Sequence, residues 1–123
     1  MIKQKSIVKR KIVLTYKEKR FGLELKEMKN FFQKARGLMF RRSKNAEALL
    51  FSFNKPVDLA LHSFFVFFDF IVIWINENGK VLEKRKIKPW KANIKTAKKY
   101  SKVIEIPFND KYTHIIKLLD DEN

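Results

Sequence analysis

Residues 59–75, LALHSFFVFFDFIVIWI, are the most apolar run of the chain. Beyond Ser63, apolar side chains fill both sets of alternating positions, and Asp69 is the one exception. A strand with this pattern must be covered on both faces. A membrane-spanning helix is the alternative, but it needs about 20 apolar residues, and a charge near its centre costs about 3 kcal/mol. The abundance of Phe, Val, Ile and Trp favours strands. We therefore predict two buried strands with a bend near Asp69.

The residues that follow this run support the strand interpretation. Asn78-Gly79 separates it from a second apolar segment that begins at Val81. Asn-Gly between two apolar runs predicts a type I′ hairpin turn, because both central residues of that turn need a positive φ. A membrane helix would have no need of such a turn.

Length and composition exclude several classes of site. At 123 residues the chain has the size of one domain, so we expect a single β-domain over residues 1–123, with frayed tails at 1–5 and 120–123. It has no cysteine, which excludes disulfides and thiolate zinc sites. Two histidines are too few for most histidine metal sites, so we predict no metal and no cofactor. No apolar core of signal-peptide length follows the basic N-terminus, and we expect a cytoplasmic protein.

The net charge of +15 admits two explanations. A basic surface indicates nucleic-acid binding. However, only six of the 28 basic residues are arginine and 22 are lysine, whereas arginine does most of the bidentate recognition of bases and phosphates. Lysine-rich, cysteine-free composition is also typical of proteins from heat-adapted organisms, including archaea.

The remaining apolar segments are short and mostly alternate with period two. They predict strands at 6–16, 21–25, 49–53, 80–87 and 102–106, while 112–119 fits either a strand or a short helix. Apolar side chains at i, i+3 and i+4 predict a helix over 26–34 that ends near Gly37. The predicted fold class is therefore mainly β: a small antiparallel barrel or sandwich of about seven strands with one short helix.

The segment Arg36-Gly37-Leu38-Met39-Phe40-Arg41 is the most distinctive local motif. Two arginines on either side of a glycine turn suit the binding of a carboxylate or phosphate. The structural alternative is a helix C-cap with solvated arginines.

Three further residues are candidates for a binding site. His62 is either a general base, ligand or anion donor, or a core histidine bonded to a backbone carbonyl. Asp69 either faces a pocket with a raised pKa, pairs with Arg36, Arg41 or a lysine, or lies in a bulge facing water. Trp90 either covers a cleft or anchors the end of a hairpin. We expect Glu105, a lone acid in an apolar strand, to pair with a lysine across the sheet.

The same motifs resemble one known family. The blocks 35–41, 49–53, 62–66, Pro89-Trp90 and 103–107 occur in the order found in the uncharacterised prokaryotic family called domain of unknown function 192, or uncharacterised protein family 0127. The resemblance covers about residues 21–107. It implies a small, mostly β domain with a short helix and supplies no activity. Asp69 stands where the family usually has a proline, and Ile71 stands where it has an aspartate. Because the two positions share a face of the strand, the resemblance leaves two alternatives: the carboxylate is displaced along the strand, or it is lost.

Three functional hypotheses follow. The leading one is an anionic small molecule or partner bound in a cleft lined by Arg36, Arg41, His62, Asp69 and Trp90. The second is non-specific binding of nucleic acid through the lysine surface. The third is an acid–base or hydrolytic enzyme that uses His62 or Asp69, and it requires both side chains in one concave pocket.

Overall fold

The computed structural model describes residues 7–28 and 37–120. Six strands lie in these two segments, and they form one curled sheet. The strands are β1 (Ile7–Tyr16), β2 (Lys19–Met28), β3 (Leu49–Val57), β4 (Phe70–Ile75), β5 (Val81–Ile87) and β6 (Tyr100–Pro107). A 3-10 turn, Asp110–Tyr112, leads into the short helix α1 (Thr113–Leu119). The predicted mainly-β class with one short helix is confirmed.

The strands do not follow one another across the sheet in chain order. The order is β1-β2-β3-β6-β4-β5, so β6 lies between two strands that precede it. The β2–β3 pair is parallel, and every other pair is antiparallel. This places the middle of β6 at the centre of the sheet, where both faces are covered.

Strand β4 shows why the apolar run needs cover on both faces. Phe70, Val72 and Trp74 point into one core, and Ile71 and Ile73 point into another on the opposite face. All six residues of the strand are buried. The doubly buried strand predicted from the alternating pattern is confirmed for residues 70–75.

The first half of the run is not a strand, and this prediction was wrong. Residues 59–69 form loops and turns, and Phe64, Phe65 and Phe67 are exposed. Their backbone groups bond to other loops instead of to a sheet ladder: Leu61 exchanges hydrogen bonds with Ile94 (2.8 and 2.9 Å). Apolarity alone does not distinguish a buried strand from an aromatic loop, because both have the same composition.

One further segment differs from the prediction, and a segment left open by it is now assigned. Residues 26–28 continue β2 instead of starting a helix, because they pair with both β1 and β3; the rest of the predicted helix, residues 29–34, lies outside the described residues. The segment 112–119 is helical. Its preceding Tyr112 hydroxyl accepts a hydrogen bond from the Ala48 amide (2.8 Å), which ties this end of the chain to the start of β3.

The β4–β5 hairpin has a wider turn than Asn-Gly predicted. Only Gly79 has a positive φ (84°), whereas a type I′ turn needs two such residues. The Asn76 side-chain oxygen accepts hydrogen bonds from the amides of Asn78 and Lys80, both at 2.9 Å. The two strands are therefore joined by a five-residue loop, residues 76–80, that contains one left-handed glycine. Within the described segments, no helix has the length and apolar character that a membrane crossing requires.

Candidate functional site

One face of the sheet carries an open, mostly apolar pocket of about 300 Å³. Strands β3 and β6 form its floor, and the segments 37–39 and 59–62 form its rim. Floor, rim and the neighbouring Val66 together give the pocket its apolar character through these side chains: Leu38, Met39, Phe51, Phe53, Leu59, Leu61, Val66, Tyr100 and Val103. Two ionisable residues other than Tyr100 complete the lining, Glu105 and His62.

Glu105 is the buried acid of this pocket. It lies on β6, and its neighbours across the sheet are Leu49 on β3 and Val72 on β4. The expected lysine partner is not there, and this prediction was wrong: none of the described residues forms a hydrogen bond or ion pair with this carboxyl. Burial alone raises the pKa of Glu105 from 4.5 to about 8. The group is therefore mostly protonated at neutral pH and can donate a hydrogen bond.

Gly37 lies directly over the Glu105 carboxyl. A Cβ atom at position 37 would lie 3.3 Å from Glu105 Oε1 and 3.6 Å from Cζ of Phe51. The residue also has a φ of 51°, which side-chain-bearing residues rarely adopt. Gly37 is thus in the left-handed region, and because it has no side chain the backbone can pass close to a buried carboxyl.

The rim of the pocket is fixed by polar contacts to the sheet. The Tyr100 hydroxyl donates a 2.6 Å hydrogen bond to the Leu59 carbonyl, and burial raises the pKa of this hydroxyl to about 12. The mutual backbone bonds of Leu61 and Ile94 hold the next part of the rim. The opening is therefore held by defined hydrogen bonds.

His62 lies at the mouth of the pocket and is exposed. Its Nδ1 accepts a hydrogen bond from the Phe64 amide (3.2 Å), and its ring stacks on the Phe64 ring at 5.3 Å. The core-histidine alternative is thereby excluded.

Beside the pocket lies an exposed group of rings that we call the aromatic patch. Its members are 39–59% exposed and belong to three separate loops: Phe40, Phe64, Phe65, Phe67 and Trp90. Trp90 contacts three of the phenylalanines at centroid distances of 4.8–6.4 Å, and Phe40 stacks on Phe65 at 5.0 Å. Because Met39 and His62 line the pocket, the patch begins where the pocket opens.

Ser63 joins two of these loops from a fully buried position. Its hydroxyl donates to the Lys88 carbonyl (2.7 Å) and accepts from the Lys91 amide (2.8 Å). Its backbone carbonyl accepts from the Trp90 amide, and its amide donates to the Lys91 carbonyl, both at 2.8 Å. The sequence analysis missed this role, since no single-sequence pattern reveals a serine that bonds across 28 residues.

Three rings of the aromatic patch have left-handed backbones. Phe40, Phe65 and Trp90 have φ values of 62°, 59° and 64°. This conformation is a genuine outlier for bulky residues and costs on the order of 1–3 kcal/mol each. The Phe40 amide donates to the Phe65 carbonyl (2.9 Å), so two of the three are bonded to each other. Strain of this kind persists only where surrounding contacts enforce it. The contacts of the fold therefore specify the positions of these rings.

The structure separates the other predicted site residues. Asp69 lies outside the pocket lining, and its carboxylate is 3.5 Å from the Lys88 ammonium and 3.9 Å from that of Lys86. Arg41 follows Phe40 of the patch in the chain and is half-buried, and Arg36 lies outside the described residues. His62 and Asp69 therefore do not share a concave pocket, which the acid–base hypothesis required.

The family assignment rests on comparison with known proteins. The family described as Uncharacterized ACR, COG1430 (DUF192) matches residues 12–117. The chain belongs to this family. A relative, UPF0127 protein PH1112 of Pyrococcus horikoshii, is 27% identical over 75 residues, which are 61% of this chain and 65% of that protein. The match thus spans slightly less than two thirds of the relative.

Two crystal structures share the fold of this DUF192 member. A protein of unknown function from Novosphingobium aromaticivorans has a TM-score of 0.72 at 17% identity, over 87% of this chain and 78% of that one. A protein described as a "putative transcription regulator" from Sinorhizobium meliloti has a TM-score of 0.73 at 18% identity, over 90% and 84%. At these identities the likeness concerns the fold alone.

Proposed function

We propose that this DUF192 protein binds a small, largely apolar molecule in the pocket, with one acceptor oxygen directed at Glu105. The observation that carries the proposal is a buried carboxyl that faces an apolar cavity and has no partner among the described side chains. A buried polar group without a partner costs about 1–3 kcal/mol. A ligand that accepts a hydrogen bond from the protonated carboxyl would recover this cost on binding.

Size and lining limit the ligand further. A volume of about 300 Å³ is at the lower end of ligand sites, which span about 300–1,000 Å³. The apolar walls favour an aliphatic or aromatic body, and the single donor favours one carbonyl, ether or hydroxyl oxygen. The ligand class is thus a small neutral alcohol, ketone or ester.

This class differs from the anion expected from the motif. Among the described lining residues, His62 at the mouth can bind an anion, but the residue at the floor, Glu105, is itself an acid. Bringing a carboxylate to Glu105 would favour protonation of one of the two acids. An anionic ligand held by Arg36 and His62 is the competing proposal, and the two make opposite predictions for the preferred head group.

Probes with one tail and different head groups separate these proposals. We would titrate the protein at pH 7 with 1-hexanol, hexylamine and hexanoate and follow backbone amide shifts by NMR. We expect hexanol to shift the amides of Gly37 and Val103, with hexanoate binding at least tenfold more weakly. Tighter binding of hexanoate that is lost in Arg36→Ala with His62→Ala would overturn the proposal in favour of the anion.

Two variants at Glu105 test its role in recognition. Glu105→Gln keeps a donor of similar size, so hexanol binding should persist. Glu105→Leu removes the donor and leaves the ligand oxygen without a partner, so affinity should fall roughly tenfold, which corresponds to about 1.4 kcal/mol. Glu77→Gln, in the exposed β4–β5 turn, is the matched control. Equal hexanol affinity in all three variants would show that Glu105 takes no part in binding.

A further inference from the structure

Ligand binding within the pocket does not explain the aromatic patch. Taking about 200 Å² of surface for each aromatic side chain, its five rings leave on the order of 500 Å² exposed. The largest apolar patch on a monomeric protein is typically about 300–600 Å² and often functional. Here that surface is concentrated on three loops whose backbones are strained to present it.

The charge around the patch is mainly positive. The three chain segments that carry its rings are residues 38–44, 63–69 and 86–95. They hold seven basic residues against one acid: Arg41, Arg42, Lys44, Lys86, Lys88, Lys91 and Lys95, with Asp69. Asp69 is itself within 4 Å of the Lys86 and Lys88 ammonium groups. A partner of this surface must therefore combine an apolar interior with a negatively charged face.

The arrangement of the rings distinguishes the partner. Single-stranded nucleic acid stacks its bases on accessible ring faces. In the patch the rings face one another: Phe40 covers Phe65, and Trp90 meets Phe65 and Phe67 edge to face. The result is an exposed apolar surface whose chain segments also carry lysines. Such a surface fits a lipid interface, where aromatic rings lie at the headgroup level and long basic side chains reach the phosphates.

We propose that the aromatic patch docks the protein onto anionic lipid bilayers. Phe67 and Trp90, whose rings meet edge to face at a centroid distance of 6.0 Å, enter the interface between headgroups and acyl chains. Lys88, Lys91 and Arg42 lie over the anionic headgroups. Ser63 holds the two inserting loops together, so that the rings enter as a unit. This proposal is independent of pocket occupancy, since none of the five rings lines the pocket.

Vesicle binding of the full chain tests this proposal. Vesicles of phosphatidylcholine with 30% phosphatidylglycerol should retain at least tenfold more protein at low salt than vesicles of phosphatidylcholine alone. Sodium chloride at 0.5 M should reverse most of this binding, because headgroup attraction is screened. Equal retention on both vesicle types, or none on either, would overturn it.

Variants locate the binding on the protein. Phe67→Ala with Trp90→Ala should lower vesicle binding at least tenfold, while Val13→Ala, an equally exposed apolar residue on β1, should leave it unchanged. Trp74 is fully buried, so a blue shift of the fluorescence on binding reports Trp90. Trp90→Phe should abolish the blue shift and retain most of the binding. Circular dichroism checks that each variant is folded.

The alternative occupants give different results in the same experiments. If a second copy covered the patch, Phe67→Ala would convert a dimer to a monomer in sedimentation, and vesicle binding would not depend on the ring. If nucleic acid covered it, the double variant would lose binding to single-stranded DNA and keep binding to vesicles. Either result would overturn the lipid proposal. Pocket variants at Glu105 should leave vesicle binding unchanged.

Discussion

Replacing Glu105 by glutamine should flatten the pH dependence of stability in this protein. Burial raises the pKa of Glu105 from 4.5 to about 8 in the folded chain. Between these two values the unfolded chain releases this proton and the folded chain keeps it. Ionisation therefore favours the unfolded state. The contribution of the protonated Glu105 carboxyl to the free energy of unfolding is fully present below about pH 4.5. It is lost as the pH rises towards 8.

The size of the effect follows from the shift. One proton difference changes the free energy of unfolding by about 1.4 kcal/mol per pH unit. From pH 5 to pH 8 the wild type should thus lose roughly 4 kcal/mol more than Glu105→Gln, which does not titrate. This amount is a large fraction of the total stability of a small domain, about 5–15 kcal/mol.

The assay is urea unfolding at pH 5, 6, 7 and 8, followed by circular dichroism. Subtracting the variant's free energy of unfolding from that of the wild type at each pH removes the contributions of all other titrating groups. Glu77→Gln, which removes an exposed carboxyl from the β4–β5 turn, is the control. If the difference between wild type and Glu105→Gln were constant over this pH range, the burial of Glu105 in the pocket would be refuted. Glu105→Leu should be more stable than wild type at pH 8, since it buries no charge.

Three further substitutions test other contacts of the site and the sheet. Gly37→Ala should lower the free energy of unfolding by about 1–2 kcal/mol, because its methyl group crowds the Glu105 carboxyl at a positive φ; unchanged urea midpoints would contradict this. Ser63→Ala should lower the free energy of unfolding by about 2–4 kcal/mol, because it leaves the Lys88 carbonyl and the Lys91 amide without their partner. It should also accelerate hydrogen exchange of the Trp90 amide. Slow exchange in that variant would show that the hydroxyl does not hold the loops. Asn76→Ala should cost about 1 kcal/mol, because two amides of the β4–β5 turn lose their acceptor, whereas Glu77→Ala in the same turn should cost much less.

The sheet was more predictable from the sequence than the loops that build the site. The adjacent apolar residues Val72 and Ile73 predict a doubly buried strand, because a strand with two apolar faces is stable only when both faces are covered by the rest of the protein. Phe64 and Phe67 have the same composition but opposite exposure. Their positions depend on Ser63 and on backbone bonds to residues about 30 positions away, which local patterns do not encode.

The residues of the candidate site were likewise only partly predictable from the sequence. His62 was singled out because a lone histidine beside an apolar run is conspicuous, and the structure places it in the lining of the pocket; its role there stays a prediction. Glu105 was assigned the wrong environment. The expected lysine partner would need a basic residue beside it in the sheet, and the strand order instead places Leu49 and Val72 there. A strand order with β6 inserted between β3 and β4 cannot be deduced from periodicity alone.

That strand order has a consequence for synthesis on the ribosome. β6, the central strand of the sheet, is the last of the six described strands to emerge, and β3 and β4 have no direct pairing with each other. Until residue 107 leaves the exit tunnel, the described strands can form only two half-sheets, β1–β3 and β4–β5, each with an open apolar edge. The floor of the pocket and its buried carboxyl also arrive with this strand. Completion of the sheet and of the site is therefore one late event, and a nascent chain stalled before residue 100 should remain protease-sensitive.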